Sequence, residues 1–124
     1  MILVIGGVAS GKRTFARSLG YADFDMANAV LDFRPVVFNV QSLMRDVSGA
    51  ESLSSTISAL ADKDVVICDE VGSGVVPMGS ADRAWRERVG RLTCELSDAA
   101  DVVVRMVCGV PTVLKGSLTL ENNR

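Results

Sequence analysis

The stretch "ILVIGGVASGKRTF" at residues 2–15 decides the fold of this 124-residue chain. Its first four residues are apolar and lead into two glycines, which is typical of a parallel strand buried on both faces. Residues 11–19 then predict a helix, because Phe15 and Leu19 lie one turn apart and Gly20 supplies a stop. A strand that enters a helix through a glycine loop is the opening unit of a parallel α/β sheet.

The rest of the chain repeats this alternation of strands and helices. Apolar runs predict further strands at 36–40, 64–70 and 101–107, with a short final strand at 112–116. Apolar stripes predict a helix at 41–62, interrupted near Ser48, and another that begins at Ser80. The weakly patterned residues 21–34 predict a loop or short helix, and residues 71–80 predict a loop. We expect an α/β fold, a P-loop-containing three-layer sandwich with a mostly parallel sheet flanked by helices, in one domain over residues 1–124.

The composition excludes several classes of function. The chain has no histidine, which rules out Ser-His and Cys-His nucleophile pairs, histidine metal ligands and a phospho- or nucleotidyl-histidine intermediate on these residues. The net charge is −2 without a basic block, so we expect no nucleic-acid partner. No apolar run reaches the ~20 residues of a membrane span and no signal-peptide pattern opens the chain, so we expect a cytoplasmic protein. The three cysteines are expected to be buried free thiols.

The glycine loop at residues 6–12, called the phosphate loop below, predicts a phosphate site. It fits the pattern G-x-x-x-x-G-K between a strand and a helix, where successive backbone N–H groups curl around phosphate oxygens and the lysine reaches the β/γ oxygens. We expect ATP or GTP as the bound nucleotide, with Lys12 as a catalytic residue. The residues expected to bind the nucleotide are Gly6, Gly7, Val8, Ala9, Ser10, Gly11, Lys12, Arg13 and Thr14.

Position 13 departs from this pattern. The residue after the lysine normally gives a hydroxyl to Mg²⁺, but Arg13 offers no lone pair to a metal. Thr14 comes one residue too late, about 100° around the helix. Two outcomes remain open. Arg13 turns outward and leaves Mg²⁺ to water, phosphates and carboxylates, or it contacts phosphate and the site binds nucleotide but turns over poorly.

A second motif, "VVICDE" at residues 65–70, has the form of a strand that ends in two acids. Such an acid can hold a Mg²⁺-bound water or accept a proton from a nucleophile. Ligands of doubly wound sheets bind at the carboxyl ends of the strands, so Asp69 and Glu70 are expected to share a rim with the phosphate loop. We predict both as metal ligands and Glu70 as a catalytic residue.

These motifs together resemble the adenosylcobinamide kinase/adenosylcobinamide-phosphate guanylyltransferase family. That family pairs a G-G-x-x-S-G-K-S loop with a downstream N-E-V-G-x-G-I-V-P loop, an arginine-bearing helix with a G-R pair, and a terminal G-I-x-x-x-K. The matching stretches are residues 1–19 and 65–116, including "DEVGSGVVP" at 69–77. The matching residues outside the first loop are Glu70, Val71, Gly72, Gly74, Val75, Val76, Pro77, Arg83, Arg86, Gly90, Arg91, Gly109 and Lys115.

The resemblance implies phosphorylation of adenosylcobinamide by a nucleoside triphosphate, followed by GMP transfer from GTP through a guanylylated histidine, in trimers of α/β subunits. It also implies substrate-binding roles for Gly72, Gly74, Arg83 and Arg86. The chain departs from the family in its Arg13 and its lack of histidine, and a strand-plus-helix stretch before residue 36, which carries the family's histidine, is largely missing. Asn39 stands where the family has an acid, while Asp69 replaces the family's asparagine.

Three functions follow from the sequence. The first is a shortened adenosylcobinamide-kinase-like protein of cobalamin biosynthesis, a homo-oligomer without the guanylyltransferase step. The second is a catalytically weak member that binds nucleotide or corrinoid. The third is a generic small-molecule P-loop kinase or NTPase. Nucleotide turnover that depends on cobinamide would separate the first from the others.

Overall fold

The computed structural model describes residues 1–47, 49–71 and 79–118 of the chain. Strands and helices alternate along it, with two short 3₁₀ segments at Asp23–Asp25 and Val40–Arg45. The strands are β1 (Ile2–Gly6), β2 (Met26–Asn28), β3 (Val36–Phe38), β4 (Val65–Asp69), β5 (Val102–Val107) and β6 (Val110–Lys115). The helices are α1 (Lys12–Ser18), α2 (Gly49–Ala61) and α3 (Ser80–Ala99).

The six strands form one sheet in the order β2-β3-β4-β1-β5-β6. Every pairing is parallel except the last, between β5 and β6. The predicted α/β fold with a mostly parallel sheet is therefore confirmed. Its register places Gly6, where the phosphate loop begins, level with Asp69 on one side and Met106 on the other.

Helices cover both faces of this sheet, because the central strands are apolar on both faces. On one face, Leu53 and Leu60 of α2 and Leu92 of α3 pack with Leu3. On the other face, Phe15 of α1 packs with strand residues that include the next residue along β1, Val4. The alternation of buried side chains in β1 thus builds two separate cores, as the near-continuous apolar runs predicted.

The segment 21–34 corrects the sequence analysis. A loop or short helix was predicted, and the structure has a 3₁₀ turn followed by strand β2, paired in parallel with β3. The sequence Met-Ala-Asn of β2 has no β-branched residue, so only its pairing with β3 makes it a strand. A short strand therefore lies between α1 and β3, and no helix occurs between Asn28 and Val36.

Two smaller predictions also change. The predicted strand 36–40 ends at Phe38, because Asn39 adopts a left-handed φ of 56°.

Of the three cysteines expected to be buried, Cys68 lies in the core while Cys94 and Cys108 are exposed. Cys94 lies on α3 and Cys108 in a hairpin turn, so neither faces the sheet. All three thiols are free, as predicted.

The β5–β6 hairpin turns through Cys108 and Gly109, which have φ values of 49° and 79°. Two central residues with positive φ are typical of the tightest hairpin turns. Pro111 is tolerated in β6 because this strand pairs with β5 alone in the described sheet. The turn rests on the phosphate loop, where the Gly109 amide donates to the Ser10 carbonyl at 3.0 Å.

Among the described residues, no helix combines the length and the apolar character needed to cross a membrane.

Candidate functional site

The phosphate loop is seated tightly on the sheet. A Cβ added at Gly6 would lie 2.6 Å from the Met106 carbonyl and 2.6 Å from Ser10 Oγ, so only glycine fits there. Ala9 and Gly11 both have positive φ, at 57° and 94°, which curls the loop ahead of α1. Gly11 also lies against the hairpin turn, since an added Cβ would meet Gly109 Cα at 3.3 Å.

An open cavity of about 440 Å³ lies in front of this loop, a volume within the usual range for small-molecule sites. The loop, the start of α1 and the carboxyl ends of β3 and β4 form its walls. Its lining residues are Val8, Ala9, Ser10, Gly11, Lys12, Arg13, Thr14, Arg17, Phe38, Asn39, Ile67 and Asp69. The fold thus brings most of the predicted nucleotide-binding residues to one cavity. Gly6 and Gly7 lie at the base of the same loop.

Lys12 is buried at the back of the cavity and fully engaged there. Its side chain is 6% exposed, and its Nζ lies 2.9 Å from Asp69 Oδ1. The ammonium also donates to the Gly7 carbonyl and, at 3.3 Å, to Ser10 Oγ. The lysine predicted to bind phosphate is therefore paired with a carboxylate.

Asp69 is held from the other side by Gln41. Gln41 Nε2 donates to Asp69 Oδ2 at 3.2 Å, while the Asp69 amide donates to Gln41 Oε1 at 3.1 Å. Trp85 of α3 holds the backbone of Gln41, because its indole N–H donates to the Gln41 carbonyl at 2.8 Å. Both carboxylate oxygens of Asp69 consequently have partners within the protein.

Arg13 extends along the cavity wall toward the end of β3. Its guanidinium carbon lies 4.7 Å from the centroid of the Phe38 ring, which is a cation–π contact. Arg17, one turn further along α1, also lines the cavity and pairs with Asp23 at 2.7 Å. Thr14 Oγ1 accepts from Arg17 at 3.4 Å. The lining of this cavity therefore contains three cationic side chains, those of Lys12, Arg13 and Arg17, and one carboxylate, that of Asp69.

Glu70 does not line the larger cavity, unlike its neighbour Asp69. Its carboxylate forms a double hydrogen bond with Arg105 of β5, at 2.7 and 3.1 Å, and this bond raises the pKa of Arg105. Glu70 lines a smaller cavity of about 240 Å³ with Val71 and Gly90 of α3. Asp69 borders both of these cavities, whereas Glu70 borders the smaller cavity and not the larger one.

Of the predicted substrate-binding residues, the two arginines do not line the larger cavity. Arg83 is exposed near the start of α3, and Arg86 lies 3.6 Å from Asp82 one turn before it. Neither arginine lines either of the two cavities. Gly72 and Gly74 lie outside the described residues. The roles predicted for these four residues stay predictions.

The residues around the cavity do not fit the Mg²⁺ site of a P-loop enzyme. That site needs a hydroxyl at position 13 and a free strand-end carboxylate. Here position 13 carries a guanidinium, and the oxygens of Asp69 are occupied by Lys12 and Gln41. No cluster of three acidic or thiol side chains suited to a metal occurs in the described ranges.

Three residues of the site were missed by sequence analysis: Arg17, Phe38 and Gln41. Arg17 could have been found, because a helix from residue 11 places it on the same face as Arg13. Phe38 ends a strand that was predicted, but nothing in the sequence connects it with Arg13. Gln41 carries no motif, and its 28-residue separation from Asp69 hides their contact.

Comparison with known proteins gives the following relationships. The family model described as cobinamide kinase / cobinamide phosphate guanyltransferase matches residues 38–114, which is more than half of the chain. The matched region begins after the phosphate loop, so the assignment of that loop depends on its own sequence and geometry.

A curated relative matches over 66 residues at 30% identity. It is the bifunctional adenosylcobalamin biosynthesis protein CobP from Pseudomonas aeruginosa. The match covers 53% of this chain and 38% of the relative, so the chain spans well under half of that protein's length.

Proposed function

Because this chain belongs to the cobinamide kinase / cobinamide phosphate guanyltransferase family, we propose that it binds a nucleoside triphosphate in the cavity of about 440 Å³. In this proposal the protein acts in cobalamin biosynthesis as a kinase-like member of that family. The acceptor is a cobinamide, as the family's name implies. The observation that supports the nucleotide site is the cavity itself. It is lined by the phosphate loop and by three cations of α1, Lys12, Arg13 and Arg17.

The cations around the cavity suit the triphosphate end of a nucleotide. Lys12 is buried beside the loop, while Arg13 and Arg17 stand on the outer wall. Phosphate oxygens are strong acceptors for lysine and arginine donors, particularly where water is partly excluded. A bound phosphate would take over hydrogen bonds that Lys12 now gives to Asp69, Ser10 and Gly7. The nucleotide therefore competes with Asp69 for the same ammonium.

This competition also frees a proton acceptor. In kinase chemistry the acceptor hydroxyl oxygen attacks the γ-phosphorus, the bond from that phosphorus to the β,γ-bridging oxygen breaks, and the nucleoside diphosphate leaves. The hydroxyl proton passes to a base. We assign that role to Asp69, which borders the cavity and whose Oδ1 is released when Lys12 turns to phosphate. Glu70, predicted for this role from the sequence, faces Arg105 and the smaller cavity.

The guanylyltransferase step is not part of the proposal. A guanylylated histidine needs an imidazole, and the 124 residues contain none. The second candidate function is a member that binds nucleotide or corrinoid without efficient turnover. The guanidinium at position 13 favours it, because P-loop catalysis normally has a metal-binding hydroxyl there. A trimeric assembly remains a proposal from the family resemblance.

Calorimetric titration of ATP and GTP into the wild type and Lys12→Ala tests the nucleotide site. Removing a charge-assisted contact worth roughly 1.5–3 kcal/mol should weaken affinity at least tenfold. Lys63→Ala is the matched control, because Lys63 binds the Asp32 and Arg34 carbonyls away from the cavity and should leave affinity unchanged. Equal affinities in the wild type and Lys12→Ala would refute the site.

A phosphorylation assay with adenosylcobinamide then separates the two functions. Labelled phosphate transferred to the corrinoid supports the kinase. Tight nucleotide binding without transfer supports the non-catalytic member. Transfer to other small alcohols, but not to the corrinoid, would indicate a generic small-molecule kinase instead.

A further inference from the structure

Resting on the nucleotide site proposed above, we propose that this cavity binds its nucleoside polyphosphate free of divalent cation, with the Arg13 guanidinium in the place that Mg²⁺ takes in other P-loop proteins. The ligand class is thus the metal-free polyphosphate anion rather than its magnesium complex. The proposal follows from three observations: the position of Arg13, the balance of charge around the cavity, and the partners of Asp69.

Arg13 occupies the sequence position at which P-loop proteins carry the metal-binding hydroxyl. It follows the loop lysine directly, and it lines the cavity between the phosphate loop and the carboxyl end of β3. The Phe38 ring supports the guanidinium at 4.7 Å and keeps it on the cavity wall. A guanidinium at this wall supports the second of the two outcomes left open by the sequence, in which Arg13 contacts phosphate. A cation held there repels a divalent ion from the same space.

The charge around the cavity favours an anion that is not already neutralised. Lys12 is paired with Asp69 and Arg17 with Asp23. Arg13, by contrast, has no hydrogen bond or carboxylate partner in residues 1–47, 49–71 and 79–118. Its five N–H donors are consequently available to a ligand, in a planar arrangement that matches two oxygens of one phosphate. A magnesium complex carries less negative charge and offers fewer free oxygens to these donors.

The carboxylate that would complete a metal site is already engaged. Asp69 Oδ1 is bound to Lys12 and Asp69 Oδ2 to Gln41, which is fixed in turn by Trp85. The α1 hydroxyl that belongs to a cavity-lining residue, that of Thr14, accepts from Arg17 at 3.4 Å. A polyphosphate can draw Lys12 away from Asp69, but the Gln41 contact remains. The site therefore gains an anion without gaining a free set of metal ligands.

Calorimetry with ATP tests this in two media, one with excess EDTA and one with millimolar Mg²⁺. The wild type should bind at least tenfold more tightly in EDTA, because Mg²⁺ converts the nucleotide into the disfavoured complex. Arg13→Ser should bind at least tenfold more weakly than the wild type in EDTA, and Mg²⁺ should now strengthen its binding. Arg13→Lys keeps one charge but loses the planar pair of donors, so it should keep the wild-type preference with reduced affinity.

Arg91→Ser is the control, since Arg91 is exposed on α3 and lines neither cavity. It should behave like the wild type in both media. Equal or tighter wild-type binding in Mg²⁺ would overturn the proposal while leaving the nucleotide site intact. Absence of ATP and GTP binding in both media would instead refute the proposed function. If Arg13→Ser does not fold, the comparison of the two media with the wild type decides the question alone.

Discussion

Gly6 is the residue at which the phosphate loop leaves the sheet, and its lack of a side chain has a measurable consequence. Substitution Gly6→Ala would place a Cβ 2.6 Å from the Met106 carbonyl, which belongs to the backbone of β5 and cannot move without disturbing the β1–β5 pairing. Overpacking of this kind costs about 1–3 kcal/mol. We expect the free energy of unfolding, measured by urea denaturation, to fall by that amount.

The neighbouring Gly7 provides the control for this prediction. An added Cβ at Gly7 would meet no atom of the described residues within 4 Å, and its φ is not in the positive region. Gly7→Ala should therefore change the free energy of unfolding by less than about 0.5 kcal/mol. If both variants lose a similar amount of unfolding free energy, the loss comes from replacing a glycine in the loop and not from the contact with Met106.

At the scale of elements, β6 supports α3 through one lysine. Lys115 Nζ donates to the carbonyls of Ser97 and Asp98, at 2.9 and 3.0 Å, in the last turn of the helix. A cation that binds these otherwise unpaired carbonyls stabilises a helix C-terminus. The terminal lysine matched by the family resemblance thus has a structural contact in this chain.

Lys115→Met keeps the aliphatic stem and removes these bonds, so we expect a loss of about 1 kcal/mol in the free energy of unfolding. The difference in unfolding free energy between the wild type and this variant should be smaller at high salt. Part of it comes from the attraction between the ammonium and the helix dipole, and salt screens that attraction. Arg91→Met is the control, because Arg91 is an exposed cation of the same helix and its side chain has no hydrogen-bond partner among the described residues. Equal stabilities of the two variants would exclude the capping role.

At the scale of the whole molecule, the three thiols report how cooperatively the protein opens. Cys68 lies in β4 at the centre of the sheet, where burial raises its pKa to about 12 and the Asp69 charge adds to the shift. The thiolate is the reactive form, so Cys68 should be inert in the folded protein. Cys94 and Cys108 are exposed. A disulfide reagent should modify two thiols quickly and the third only at the rate of global unfolding.

The same thiol gives stability a pH dependence. The unfolded Cys68 ionises near its usual pKa of 9.0, whereas the folded thiol stays protonated to about 12. The unfolded state therefore binds fewer protons above pH 9, and the free energy of unfolding should fall as pH rises through that window. Cys68→Ala should remove this part of the alkaline loss. Fast reaction of all three thiols at neutral pH would show that the sheet opens locally around β4.

The sequence by itself determined the main elements and the place of the glycine loop between β1 and α1. The strands β1, β4 and β5 were predicted because each is a local apolar run buried on both faces, and a glycine loop before a lysine has a short-range pattern. The family relationship also followed from local motifs in the correct order. Each of these features depends on residues that lie close together along the chain.

Only the tertiary structure decided which side chains meet at the site. Strand β2 exists because β3 pairs with it. Asp69 reaches the larger cavity and Glu70 does not, and their carboxylates are bound by different residues, Gln41 and Arg105, which lie 28 and 35 residues away. Arg13 was conspicuous in the sequence, but its orientation required the Phe38 ring beside it. Hydrogen bonds and ion pairs between distant residues form only after the sheet order brings strand ends together, and no local pattern encodes that order.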